Sequence, residues 1–235
     1  MTPFIAEFTG TALLVVIGDG VVANVSLHRT KGNNGGLIAI TFGWAIAVFL
    51  GVYAASGGSD AHLNPAVTIA MAAIGKLDWA LVPTYIGAQM LGAMTGALLV
   101  WVSYRQHFNA TEDPATQLGV FCTSPSIKKP ADNIISEIIG TFIFMIGILF
   151  ITKSQSSLGA LDALPVALLI LGIGLGLGGP TGYAINPARD LGPRIMHAIL
   201  PMRNKGGSDW AYSWIPVLGP IIGAVLAGFV WQQLA

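Results

Sequence analysis

The chain has 235 residues, of which 54% are hydrophobic and 9% charged, where a soluble globular domain carries roughly 25% charged residues. Eleven basic and eleven acidic residues leave no formal net charge, so nothing points to nucleic acid or to electrostatic steering of a charged partner. The single cysteine, Cys122, excludes an internal disulfide and a cysteine-rich metal motif. It reads as a structural loop residue.

Taken in order, the chain enters apolar sequence at Pro3 with neither a basic region nor a small-residue cleavage site. This predicts a retained first span rather than a cleaved signal. Six runs, over 4–25, 37–55, 79–103, 134–151, 164–178 and 214–231, approach the length a spanning helix needs. Two apolar pieces too short to span, 65–74 and 187–199, follow the second and fifth runs. Short segments at corresponding places in two halves mark an inverted repeat with discontinuous helices.

The repeat is visible directly. Ile5-Ala6-Glu7-Phe8-Thr9-Gly10-Thr11 matches Ile135-Ser136-Glu137-Ile138-Ile139-Gly140-Thr141 at an offset of 130, and Asn64-Pro65-Ala66 matches Asn186-Pro187-Ala188 at an offset of 122. Three spans per half is odd, so the second half is inverted and its short segment enters from the opposite face. The expected fold is an all-α membrane protein with six transmembrane helices and two half-helices in an inverted repeat around a central pore. It is one channel domain over 1–235: a first repeat at 1–110 with its half-helix at about 65–75, and a second at 131–235 with its half-helix at about 187–199. Close helix packing is expected where small residues recur, at Gly92 and Gly96, Gly172 and Gly176, Gly174 and Gly178, and Gly219 and Gly223.

Charge bias gives an orientation. Lys76 and Lys153 fall on one side of this topology, and Arg29, Lys31, Arg105, Lys128, Lys129, Arg203 and Lys205 on the other. Taken alone, that bias places the N-terminus outside.

Proline is favoured at the first helical position, so each Asn-Pro-Ala reads as an Asn cap followed by a helix starting at Pro65 or Pro187. Inside a bilayer such starts aim unpaired N–H groups and a positive dipole end at something polar. Asn64 and Asn186 can cap their helices and still offer an N–H to a passing solute, because an amide has two donors and an acceptor oxygen. Glu7 and Glu137 are intramembrane charges at equivalent positions. They are expected to accept hydrogen bonds from the irregular backbone of the broken segments. Arg189, near the start of the second half-helix, can repel cations and donate to hydroxyl or carbonyl oxygens; pairing with Asp190 or a backbone carbonyl is compatible with that role. His62 reads as a packed, hydrogen-bonded residue. No metal-spaced His/Asp/Glu cluster and no nucleophile–base pair is present, so neither an enzyme nor a cofactor is expected.

The stretches Ala61-His62-Leu63-Asn64-Pro65-Ala66-Val67-Thr68 and Gly182-Tyr183-Ala184-Ile185-Asn186-Pro187-Ala188-Arg189-Asp190 resemble the signatures of the aquaporin superfamily. The chain is most similar to its glycerol-facilitator branch, as Tyr104, Asp190, Arg194 and Pro216-Val217 agree. The resemblance implies a homotetramer in the lipid bilayer, one pore per subunit and both termini cytoplasmic, while the minimal termini favour a bacterial plasma-membrane protein. It also overrides the charge-derived orientation. It implies a solute-facing carbonyl ladder over Asp60, Ala61, His62 and Leu63 and over Gly182, Tyr183, Ala184 and Ile185. It implies a constriction formed by Trp44, Gly174, Tyr183 and Arg189, and structural support from Glu7, Glu137 and Asp190. Glycine at 174, where water-selective members carry histidine, implies a wider slot. Asp60, where a small residue is usual, and Tyr183, where phenylalanine is common, depart from the branch pattern.

The expected function is a passive channel for glycerol and other small uncharged solutes, with some water, that excludes ions and protons. Its alternatives are a water-selective channel and, in a different class, a secondary transporter coupled through Glu7 and Glu137.

Overall fold

The computed structural model describes residues 1–151 and 161–234; Lys153, used in the charge count, lies outside them. Among the described residues the secondary structure is entirely helical, in the order α1 (Pro3–Ser26), α2 (Gly36–Ala55), α3 (Pro65–Ala73), a 3-10 turn (Trp79–Leu81), α4 (Val82–Ala110), α5 (Pro114–Phe121), α6 (Pro130–Ile151), α7 (Leu164–Leu177), α8 (Pro187–Ile199) and α9 (Ile215–Leu234). Five helices, α1, α2, α4, α6 and α9, are long and apolar enough to cross a membrane. The fifth expected span is α7, 14 residues as described, which at about 1.5 Å per residue reaches about 21 Å of a core about 30 Å thick.

Two elements differ from the sequence expectation. Helix α4 runs on past 103 to Ala110, because apolarity ends where the membrane ends but backbone hydrogen bonding does not. Helix α5 was not expected at all. It carries the same start signal as the half-helices: Asp113 caps it by accepting from the backbone N–H of Ala115 at 3.3 Å and of Thr116 at 2.9 Å, with Pro114 at the first position.

The halves are built alike. Helix α1 packs on α2 and α4, and α6 packs on α7 and α9, while α2 meets α7 between the halves. At the tightest crossings a Cβ on Gly92 would run into the carbonyl oxygen of Phe8, and a Cβ on Gly223 into that of Ile138. These are repeat-equivalent contacts in which only glycine lets the backbones meet. Gly96 and Gly219 also face neighbouring helices, and Gly174 and Gly178 face the Tyr183 ring. Gly172 and Gly176 do not mark a contact: both are exposed on the outer face of α7, with nothing within 4 Å of a built Cβ.

The half-helices interlock the two repeats. Helix α3 lies on α9 and α4, α8 lies on α4 and α9, and the two touch each other. Loops on one face are knitted together: the His28 N–H donates to Thr111 Oγ1 at 2.9 Å, Gln117 Nε2 to the Arg203 carbonyl at 2.7 Å, and Lys128 Nζ to Asp209 at 2.8 Å. This gathers Arg29, Lys31, Lys128, Lys129, Arg203 and Lys205 onto one end. Large apolar side chains such as Ile38, Leu168, Leu226 and Phe229 point outward, as a lipid-facing surface requires.

Candidate functional site

Each Asn-Pro-Ala forms the local structure its residues dictate. Asn64 Oδ1 accepts from the Ala66 N–H at 2.9 Å; Asn186 Oδ1 accepts from Ala188 at 3.0 Å and Arg189 at 3.2 Å. The amide nitrogens reach across the repeat. Asn64 Nδ2 donates to the carbonyl of Ile185, and Asn186 Nδ2 to the carbonyl of Leu63, both at 2.8 Å. Two of the four amide N–H groups are thereby engaged, and one remains on each asparagine for a third partner.

The residues ahead of each cap hold an unusual backbone. Ala61, Leu63, Tyr183 and Ile185 have φ of 51°, 50°, 40° and 43°, and Gly182 has 77°. A left-handed non-glycine residue costs about 1–3 kcal/mol and persists only when its surroundings over-determine it. Here the surroundings are carboxylates. Glu7 accepts from the N–H of His62 at 2.9 Å and of Leu63 at 2.8 Å, and from Ser59 Oγ at 2.7 Å and Gln89 Nε2 at 2.8 Å. Glu137 accepts from the N–H of Ala184 at 3.0 Å and Ile185 at 2.9 Å. Converging backbone N–H groups form an anion-binding nest, and in each half a buried glutamate fills it. The Leu63 and Ile185 carbonyls brace the opposite asparagine and keep a second lone pair.

A cavity of about 860 Å³ runs through this centre, lined by Asn64, Asn186, Arg189, Trp44 and the ladder residues Asp60, Ala61, His62, Leu63, Tyr183, Ala184 and Ile185. Its other walls are apolar, with Leu14, Val48, Val67, Phe144, Ile148 and Ile170. Gly182 is not on the lining. Asp60 is exposed at the mouth, and His62 is packed, its Nδ1 3.2 Å from Thr68 Oγ1 and its ring 5.0 Å from that of Tyr85.

At the other end Arg189, Trp44 and Tyr183 come together. The Arg189 guanidinium stands 4.0 Å above the Trp44 ring, a cation–π contact. Gly174 is behind the cavity wall rather than on it. A Cβ there would strike Thr41 and lie 2.9 Å from Tyr183 Cζ, so the space glycine leaves is taken up by the tyrosine ring.

Asp190 does not pair with Arg189. It accepts from Arg194 Nε at 3.0 Å and Nη2 at 2.9 Å, and from the N–H and hydroxyl of Thr123 at 2.8 Å and 2.7 Å. Successive helical residues diverge, whereas residues four apart share a face. Arg194 donates onward to the carbonyls of Ser208, Asp209 and Thr123, tying α8 to the loops around it. The carboxylate nearest Arg189 is Asp19, 3.9 Å from Nη1 and fully buried. Sequence reasoning passed over it, although a third acidic residue inside a spanning run was a visible signal.

The sequence matches the major intrinsic protein family over residues 1–231. The chain belongs to that family. Among major intrinsic proteins it is 52% identical to a probable glycerol uptake facilitator protein of Thermotoga maritima, with all of both chains aligned. It is 53% identical to glycerol uptake facilitator protein 3 of Lactiplantibacillus plantarum, over 98% of this chain and 95% of that one. Its fold superimposes on the X-ray structure of the aquaglyceroporin from Plasmodium falciparum with a TM-score of 0.88 at 33% identity, covering 98% of this chain and 95% of that one. Such a chain is an integral membrane channel protein, not an enzyme.

Proposed function

We propose that the protein is a passive transmembrane pore for glycerol and other small uncharged solutes, passing some water and excluding ions and protons. The observation that carries this reading is the centre of the cavity. Two half-helix starts face each other there across Asn64 and Asn186, and one lumen joins them to Arg189 and Trp44.

The lumen has two chemistries along its length. Carbonyls of the two ladders accept from solute hydroxyls on one side, while Val48, Val67, Phe144 and Ile170 pack against a carbon chain on the other. The free N–H of each asparagine and the guanidinium of Arg189 donate to solute oxygens. A polyol exchanges these bonds one at a time as it moves, with no covalent step and no coupled ion. Positive dipole ends at the centre and the fixed charge of Arg189 oppose cations. Trp44, Tyr183 and Arg189 form the filter, and Gly174 acts through the room it gives Tyr183.

A homotetramer with both termini cytoplasmic, in a bacterial plasma membrane, fits the family resemblance. The reciprocal asparagine bonds argue against a secondary transporter, since rocking one repeat against the other would break both at the midplane. Stopped-flow light scattering on proteoliposomes tests the reading. Re-swelling under an inward glycerol gradient should greatly exceed that of empty vesicles; accelerated osmotic shrinkage without faster re-swelling would instead indicate a water channel.

A further inference from the structure

Asp19 on α1 is fully buried and does not line the cavity. Neither of its carboxylate oxygens has a hydrogen-bond partner among the described residues, and Arg189 Nη1 has none either. The two groups face each other at 3.9 Å. A buried carboxylate without hydrogen bonds is costly to keep, so its place behind the filter arginine demands a reason.

The neighbouring residue supplies context. A Cβ on Gly18 would overlap the six-membered ring of Trp44. Gly18 therefore admits the indole against α1, the indole carries the Arg189 guanidinium on its face, and Asp19 stands behind that guanidinium. The filter is thus backed by two consecutive residues of α1. The arrangement belongs to one end of the pore only, because the repeat-equivalent of Asp19, at the offset of 130, is the buried apolar Leu149.

We propose that Asp19 is a positioning and charge-balancing residue of the filter. Its carboxylate holds Arg189 on the Trp44 face and offsets the guanidinium charge. The guanidinium still faces the lumen and opposes a cation at contact, while the pair has no net charge to gather anions from a distance. A lone arginine would repel cations but draw in small anions; the pair rejects both and leaves hydroxyl recognition to decide passage. This rests on the assignment of Arg189 to the filter made above.

The test compares chloride with glycerol permeability in proteoliposomes, reading chloride by quenching of an encapsulated dye with valinomycin-carried potassium as counter-ion. Asp19→Asn should raise the chloride-to-glycerol ratio at least tenfold. The same substitution in an Arg189→Val background should leave the ratio within twofold, since no charge remains to unmask. An unchanged ratio in the Asp19→Asn protein, or an equal rise in both backgrounds, overturns the assignment. The native protein gives a second test that needs no variant to fold: its chloride flux should equal that of empty vesicles, and a chloride leak overturns the proposal. Glycerol re-swelling of the native protein is the control. Its absence defeats the channel reading itself, whereas glycerol flux with an unmoved chloride ratio defeats only the role of Asp19.

Discussion

The two loops that enter the half-helices solve one backbone problem with different means. Both carry left-handed residues at equivalent places, Ala61 with Tyr183 and Leu63 with Ile185, and both hang from a buried glutamate. In the first half the carboxylate also gathers Ser59 and Gln89, and Gln89 bonds Thr68 on α3. In the second half the carboxylate takes one side-chain partner, Thr181, and other side chains are spent elsewhere. At the offset of 122, Val67 becomes Arg189, Ala61 becomes Tyr183 and Thr68 becomes Asp190. Where the halves agree, residues manage the backbone; where they diverge, Arg189 and Tyr183 line the cavity and Asp190 anchors the loops around it.

Glu7→Leu and Glu137→Leu attack what the halves share. Each strands two backbone N–H groups, at about 1–3 kcal/mol apiece, and thermal unfolding in detergent should show the largest losses of any substitution considered. Glu7→Leu should be the worse, because two side chains, Ser59 and Gln89, lose their acceptor, against Thr181 alone for Glu137→Leu; a larger loss for Glu137→Leu would refute that asymmetry. Arg189→Val attacks what they do not share. Removing a charge-assisted donor worth about 1.5–3 kcal/mol should cut glycerol flux about tenfold or more and raise cation leak, whereas Val67→Ala should do neither. Gly174→His should lower glycerol flux far more than water flux, and Tyr183→Gly in the same chain should restore part of it by vacating the space behind the wall. Equal loss of both fluxes would remove Gly174 from the filter. Tyr183→Phe deletes one neutral hydroxyl beside Thr41, and its effect on glycerol flux should stay below about fivefold.

Most of the architecture was legible because a bilayer restricts the choices: length and apolarity locate the spans, and two Asn-Pro-Ala motifs locate the breaks. Helix α5 was missed for a simple reason. Its eight residues are too short and too mixed to register in a search for spans, though Asp113-Pro114 announces a helix start as clearly as Asn64-Pro65 does. At the site, the roles of Glu7 and Glu137 follow from the backbone's need for acceptors, which sequence position alone exposes. The place of Gly174 did not follow, because which side chain fills a glycine's space is decided by a residue nine positions away folding back onto it. The choice between Asp190 and Asp19 near Arg189 had the same character, being settled by helix phase and by contact between helices from opposite halves.

The crossed bonds from Asn64 to Ile185 and from Asn186 to Leu63 also bear on how the chain is made. Until residues 185 and 186 arrive, the amide nitrogen of Asn64 and the carbonyl of Leu63 have no designated partners in the bilayer interior. The first repeat can insert but cannot finish. Completion is therefore a late, mutual event in which each half supplies the last hydrogen bond of the other, and a chain cut between the repeats should assemble only when both pieces share one membrane.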